Sequence, residues 1–379
     1  MKIAIILDSL SRGGAERQAV YAVSELARQG RDVELIYYNQ VTHRYDPALL
    51  PEERVHRLAK EGRKVRFVWE LRNYLRDRRF GVVHGWMSGP GIYAGMAGPL
   101  GGIPVVFAGM RAEYKDRGLV RMAHRCVDRW VTGWIVNSKA TVDSMVRDLG
   151  VRRDRIHVVY NGIDPDAFVS RFSPAEARQR LGLPADAPTV SIVGRLRPQK
   201  NHPLFIETAA RVAKSVPAAR FLVVGDGDGE EQAQLEAQAE RLGIRGQVVF
   251  LGSRSDIPDI LAATDVMCLT SHYEGVANSL LEAMCARLPV VSTAYAGVEE
   301  LVIHERNGLV APMGDASGLA AHLVRLLEDA RLRLDLGQEG RRTVEARYTM
   351  EAMGRNLYGI YEKCYLAASG GGRREAAAS

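Results

Sequence analysis

The chain is short of cysteine, of long apolar runs and of several familiar ligand motifs, and each shortage removes a class of protein. Its 379 residues hold four cysteines, Cys126, Cys268, Cys285 and Cys364, scattered without any C-x-x-C spacing. That argues against a disulfide framework and a zinc site, and it fits a reducing, cytoplasmic setting. No apolar stretch approaches the ~20 residues that a membrane span needs. KIAIIL runs directly into polar DSLSRGG, without the cleavage-type segment of a signal peptide. The G-x-G-x-x-G dinucleotide fingerprint is missing, which disfavours a nicotinamide-dependent oxidoreductase. None of the standard nucleic-acid recognition motifs is present, so no nucleic-acid partner is expected. DGDG at Asp226–Gly229 lacks the flanking helices and distal glutamate of a calcium loop.

What remains is the composition of a globular protein, 46% hydrophobic and 25% charged, with a net charge of +6. The length suits two domains. Short apolar runs alternate with amphipathic helical patterns along the whole chain. KIAIIL, DVELIYY, GVVHGWM, PVVFAGM, WIVNS and RIHVVYNGID supply strands in the first half, and TVSIVG, FLVVG, QVVFLG, DVMCLT and PVVST supply them in the second. Repeated β-α units of this kind predict doubly wound parallel sheets with ligands at the strands' carboxyl ends. The polar, proline-containing stretch between Phe168 and Pro188 is the natural boundary, giving domains 1–170 and 171–368 and a disordered tail 369–379. The stretch Ala296–Glu300 reads as the start of a further helix.

The most informative stretch is SHYEGVANSLLEAM, Ser271–Met284, in which Glu274 and Glu282 stand with seven residues between them. A strand precedes it, and helical spacing follows from Asn278 or Ser279. The amides from Gly275, Val276, Ala277, Asn278 and Ser279 would then open a helix, a favourable place for a phosphate. Glu274 stands in the loop ahead of that helix, and Glu282 lies about a turn inside it. A carboxylate for each of two polyols with a phosphate between them describes a sugar nucleotide. An ordinary helix with two solvated glutamates is the plain alternative. Arg195 and Lys200, in the loop after TVSIVG, are two cations able to neutralise a departing diphosphate. Gly13 and Gly14 allow close backbone approach at the start of another helix, or simply form a tight turn. Glu16 is either an acceptor-side carboxylate or a partner of that helix's dipole.

The Glu274-to-Glu282 signature, in the form EG-x-x-N-x-LLEAM, resembles that of family 4 retaining glycosyltransferases of the two-Rossmann-domain (GT-B) type. GGAER at Gly13–Arg17 and GR-x-x-x-x-K-N at Gly194–Asn201 are similar to further landmarks of that family. The resemblance implies two Rossmann-like domains facing each other across a cleft, with a last helix, about 350–367, crossing back to the first. It implies transfer of a hexose or N-acetylhexosamine from a nucleotide sugar, UDP-linked, to a saccharide or lipid-linked acceptor in surface polysaccharide or glycolipid assembly. It implies donor contacts from Gly13, Gly14, Arg195, Lys200, Gly275–Ser279 and Glu282, and catalytic roles for Glu274, Arg195 and Lys200. No metal and no other cofactor is required, and no D-x-D motif is evident.

The chain also departs from the family. Many members carry a histidine after the strand matching PVVFAGM, where this chain has Met110 and Arg111, and the second histidine of a common H-x-H pairing is Trp86. His84 and Arg111 are therefore the acceptor-side candidates that replace the usual pattern, with an ordinary surface role open for Arg111. The segments Arg54–Arg79 and Arg111–Arg129 are rich in basic residues with interspersed Trp, Tyr, Phe and Val. They read either as solvated helix faces or as a peripheral contact with an anionic membrane, at the inner face of the cell membrane. A UDP-sugar 2-epimerase on the same frame and a silent nucleotide-sugar binder remain the alternatives to transfer.

Overall fold

The computed structural model describes residues 1–11, 13–39, 49–115, 117–227 and 229–370. The predicted disordered tail from 371 onward lies outside the described residues, as does Asp228 of the DGDG turn. The chain forms two compact units, one of Met1–Gly162 with Met350–Ser379 and one of Ile163–Thr349. Through the first unit run β1 (Ile3–Leu7), α1 (Gly14–Arg28), β2 (Val33–Tyr37), β3 (Val55–Arg57), α2 (Lys64–Asp77) and β4 (Val82–Gly85). They are followed by α3 (Ser88–Leu100), β5 (Val105–Met110), α4 (Gly118–Asp128), β6 (Gly133–Val136), α5 (Lys139–Ser144) and β7 (Ile156–Val158). The second unit holds α6 (Pro174–Arg180), β8 (Thr189–Val193), α7 (His202–Ser215), β9 (Arg220–Val224), α8 (Glu230–Arg241) and β10 (Val248–Gly252). It continues with α9 (Ile257–Ala262), β11 (Val266–Leu269), α10 (Asn278–Cys285), β12 (Val290–Thr293), β13 (Leu309–Ala311), α11 (Ala316–Glu328) and α12 (Ala330–Arg347). The last helix, α13 (Met350–Ala368), returns to the first unit.

Each unit is a parallel sheet, with strand order β3-β2-β1-β4-β5-β6-β7 in the first and β10-β9-β8-β11-β12-β13 in the second. IAIIL and VELIY are buried at every residue, as strands covered on both faces must be. In the first unit Ala4, Ile6 and Val83 pack one way with α2 and α3, while Ile3, Ile5 and Val82 pack the other way with α1 and α13. From α13 come the buried Met353, Leu357 and Tyr361. The strand order reverses between β1 and β4 and between β8 and β11. Loops leaving those strands diverge to opposite faces and open a crevice at the carboxyl edge.

Two boundaries differ from the sequence reading. The units divide after Gly162 rather than after residue 170, because the polar stretch expected to link the domains is part of the second. Ser173 and Glu176 form a reciprocal capping box that opens α6. Arg178, buried, donates to Asp265 at 2.8 Å and to the carbonyl of Ala263 at 3.1 Å. Ser170 bonds Asp259 at 2.7 Å. Polarity here marks buried ion pairing, not a linker. The helix expected from Ala296 is a single 3-10 turn, Val298–Glu300, entered through Gly297 at φ 89°.

Leu357 is fully buried between α13 and the sheet of its unit. Leu357→Ala is expected to destabilise that unit by about 2–5 kcal/mol, read by urea unfolding. A loss within ~0.5 kcal/mol would mean that α13 is not anchored there.

Candidate active site

The reversal between β8 and β11 brings two loops side by side. The loop after β8 carries Arg195 and ends in a 3-10 turn, Pro198–Lys200, closed by Asn201 in the left-handed region. The loop after β11 carries Ser271 and Glu274. Backbone and side-chain bonds stitch them together. His272 donates its N–H to the Gln199 carbonyl at 2.9 Å. Thr270 donates its hydroxyl to the carbonyls of Lys200 and Asn201, each at 2.9 Å. Gln199 Nε2 donates to the Tyr273 carbonyl at 2.8 Å and lies 3.4 Å from Glu274 Oε2. At the centre, Lys200 Nζ and Ser271 Oγ both donate to Glu274 Oε1 at 2.7 Å. The side chains of Lys200 and Glu274 retain only 20% and 10% exposure, so the pair is screened far less than one in water. Gly225 closes the floor: an ideal Cβ there would lie 2.1 Å from the Gly194 carbonyl oxygen.

Beyond Glu274 the chain enters α10. Gly275, Val276 and Ala277 are buried, and Ala277 stands at the N-cap with no side-chain bond to the helix start. Ser279 Oγ, in the first turn, is buried and has no partner among the described residues. Asn278 is half-buried. Glu282 is buried one turn further along the same helix. Arg195 is exposed and makes no ion pair among the described residues. An uncapped helix start, an unsatisfied hydroxyl and a free cation suit a phosphate-bearing ligand. Gln199, Ser271 and Thr270 were not singled out in the sequence. Their signal, polar residues at the ends of the two strands flanking a switch point, is shared by many loops.

His202 opens α7 directly behind Lys200 and is buried. Burial, then the Lys200 charge, pushes its pKa down to about 4 against the pull of its bond to the Gly194 backbone. It is therefore a neutral ring near neutral pH, packed under the lysine.

In the first unit, the candidate residues do not form one group. Gly13 is the N-cap of α1 and Gly14 its first residue. Glu16 folds back on its own loop, accepting from Ser11 Oγ at 3.1 Å, with its Oε2 2.0 Å from an ideal Cβ at Gly13. That bond fits the local role at the helix start. His84 is a correction: on β4 it points into the core, fully buried, with Nδ1 2.6 Å from Tyr361 Oη and its ring tilted against Trp86. Burial and the charge of Arg111 push its pKa well down. A strand buried on both faces does not announce which side a residue takes. Arg111 follows β5 and lies flat over Trp86, with its Cζ 3.5 Å from the ring centroid.

Comparison with known proteins agrees with this frame. The model "Glycosyltransferase Family 4" matches residues 12–167 and "Glycosyl transferases group 1" matches residues 174–343, together most of the chain. An alpha-1,3-galactosyltransferase of Escherichia coli, acting from UDP-Gal on alpha-D-GlcNAc-diphosphoundecaprenol, is 28% identical over 274 residues, covering 70% of each chain. The lipopolysaccharide core biosynthesis glycosyltransferase LpsE of Rhizobium meliloti is 34% identical over 222 residues, 59% of this chain and 62% of the relative. Among solved structures, Anabaena Alr3699/HepE in complex with UDP-glucose superposes with a TM-score of 0.83 at 22% identity, covering 96% of this chain and all of that one. That likeness shows the GT-B fold.

Because the folded pKa of His202 lies below its ordinary value, the unfolded chain binds a proton between about pH 4 and 6.5 that the native state does not. Stability should fall as pH falls through that window. The wild type is expected to lose on the order of 3 kcal/mol more than His202→Gln between pH 7 and 4, measured by urea unfolding at each pH. Parallel losses would show that His202 is not held neutral.

Proposed function

The chain belongs to the glycosyltransferases that join a Glycosyltransferase Family 4 domain to a Glycosyl transferases group 1 domain, and on that premise we propose that it transfers a hexose or N-acetylhexosamine from a UDP-linked donor. The acceptor is a saccharide or a lipid-linked saccharide in surface polysaccharide or glycolipid assembly, as in the relatives from Escherichia coli and Rhizobium meliloti. The observation that carries the reading is the Lys200–Glu274 pair standing against the uncapped start of α10.

The second unit binds the donor. Arg195, Lys200 and the amides of Gly275–Ser279 hold the diphosphate, and Glu282 accepts from the ribose hydroxyls. Without donor, Lys200 is engaged by Glu274. The diphosphate draws the ammonium toward itself and frees a Glu274 oxygen for a hydroxyl of the sugar, fixing the ring. Transfer proceeds with retention: the bond from C1 to the diphosphate oxygen breaks while the acceptor oxygen bonds to C1 from the same face. The departing phosphate takes the acceptor's proton, and the cations stabilise the charge that develops on it. The first unit carries the acceptor. The reaction needs no resident metal in this reading.

Thermal stabilisation by UDP, GDP, ADP, NAD and their sugar conjugates is the direct test. At a hundred times its dissociation constant a ligand adds about 2.7 kcal/mol, a shift of a few degrees. UDP and one UDP-sugar should stabilise the protein, and a response to NAD alone would overturn the reading. Glu274→Gln should lower kcat by about 10²-fold or more, with UDP binding retained. Donor consumption without any acceptor would turn the reading to an epimerase.

We further place the enzyme in the cytoplasm, peripheral to an anionic membrane. No helix among the described residues is long and apolar enough to cross a membrane. On α4 and just beyond it Leu119, Met122 and Trp130 are 79, 58 and 54% exposed, and Arg117, Arg125 and Arg129 are exposed beside them. Apolar side chains inside a basic ring suit an interface that is acidic outside and greasy beneath. The protein should sediment with phosphatidylglycerol vesicles and not with phosphatidylcholine, and Leu119→Ser with Met122→Ser should weaken that binding severalfold. Equal binding to both lipids, or to neither, sinks this placement.

A further inference from the structure

Among the described residues Arg111 is a buried cation without a counter-charge. Its Nη1 and Nη2 are shielded from water and have no hydrogen-bond partner among the described residues. Its one bond runs from Nε to the Trp86 carbonyl at 3.3 Å. The nearest acid in sequence, Glu113, faces Lys115 at 3.2 Å and Arg147 at 3.7 Å instead. Burial alone pushes the Arg111 pKa down to about 9, only partly opposed by the Tyr361 hydroxyl. A guanidinium stripped of water and left unpaired is strongly unfavourable, and its two free edges form a fork suited to a phosphate or carboxylate.

Trp86, on which Arg111 lies, donates its indole N–H to the Ala15 carbonyl at 2.9 Å, in the first turn of the 15-residue helix α1. The indole is thereby held in place against the start of α1, whose first turn also carries Glu16. His84, also against Trp86, leaves Nε2 buried and unpartnered and adds no negative charge. Arg111 follows β5 and Trp86 follows β4, so the group stands at the carboxyl edge of the sheet, beside its switch point. The residue as a whole keeps some exposure.

We propose that Arg111 is a specificity-determining residue that binds a phosphoryl group carried by the acceptor. Assignment to the acceptor rests on the glycosyl-transfer reading above; the anion site itself does not. The chain would then favour acceptors bearing a phosphate near the sugar to be extended, over neutral glycans. Arg111 takes the anion in its Nη fork, with the Trp86 face as its backing.

The test compares melting temperatures in sodium phosphate and in sodium chloride at equal ionic strength, with UDP saturating so that the diphosphate site is filled. The wild type should melt a few degrees higher in phosphate. Arg111→Met should show only the smaller shift that phosphate, as a kosmotropic salt, gives without a site, and in chloride should melt at or above the wild type, since it removes an unpaired buried charge. Equal phosphate shifts in both proteins, or none in the wild type, overturn the proposal. So does a wild-type shift that appears without UDP and vanishes with it, which would give Arg111 to the donor. If Arg111→Met does not fold, Arg111→Lys replaces it, with the shift at least halved; an undiminished shift counts against the site. The UDP shift in chloride reports the transferase reading separately. Glucose 1-phosphate and geranyl phosphate in place of phosphate then distinguish a sugar phosphate from a lipid phosphate as the carrier.

Discussion

The pairing of Lys200 with Glu274 depends on a topological fact: β8 and β11 are neighbours in the sheet although five helices and strands, α7 to α9, separate them along the chain. At such a reversal the carboxyl-edge loops of two adjacent strands run to opposite faces of the sheet and leave a crevice between them. The two loops are then joined by backbone as well as side chain, through His272 to Gln199 and Thr270 to Lys200 and Asn201. A partly buried ion pair contributes little net stability once desolvation is counted. Its value here is position: it holds carboxylate and ammonium side by side in front of α10.

The same pair explains why the grouping of these candidate residues was legible in the sequence. Lys200, Glu274, Glu282 and the opening of α10 all occur where a strand's apolar run stops and helical spacing starts, and such transitions are visible one residue at a time. The sheets were legible for a similar reason, since a parallel strand covered on both faces reads as a continuous apolar run. Which way each strand residue points was not legible. His84 sits among apolar neighbours on both sides, and only the packing of α13, with Tyr361, shows it turned into the core. The unit boundary was hidden because Arg178 and Ser170 look like surface residues until Asp265 and Asp259, far along the chain, are seen to receive them.

Those distant partners also set a standard for the molecule's buried cations. Arg178 has Asp265 and two carbonyls. Arg341, also buried, has Asp166 at 2.6 Å, Glu345 at 2.6 Å and the carbonyls of Pro165 and Cys285. Through Cys285 it also bonds the last turn of α10, the helix that follows the Glu274 loop. Lys200 has Glu274. In each case a charge withdrawn from water is met by an opposite charge or by several oxygens, as electrostatics in a weakly polarisable interior requires.

Arg111 breaks that pattern, and it does so at the carboxyl edge of a sheet rather than in a structural corner. Its stacking on Trp86 supplies a cation–π contact worth roughly 0.5–2 kcal/mol, which is smaller than the several kcal/mol that desolvating an unpaired ion costs. Stacking alone therefore does not account for a charged group in that position. Packing does not account for it either, because a neutral side chain of similar length would cover the same indole face without the desolvation. Sites that break a rule kept elsewhere in the same chain are where a fold commonly yields stability to binding. An anion of the right shape would balance the charge; a purely architectural role leaves it unbalanced.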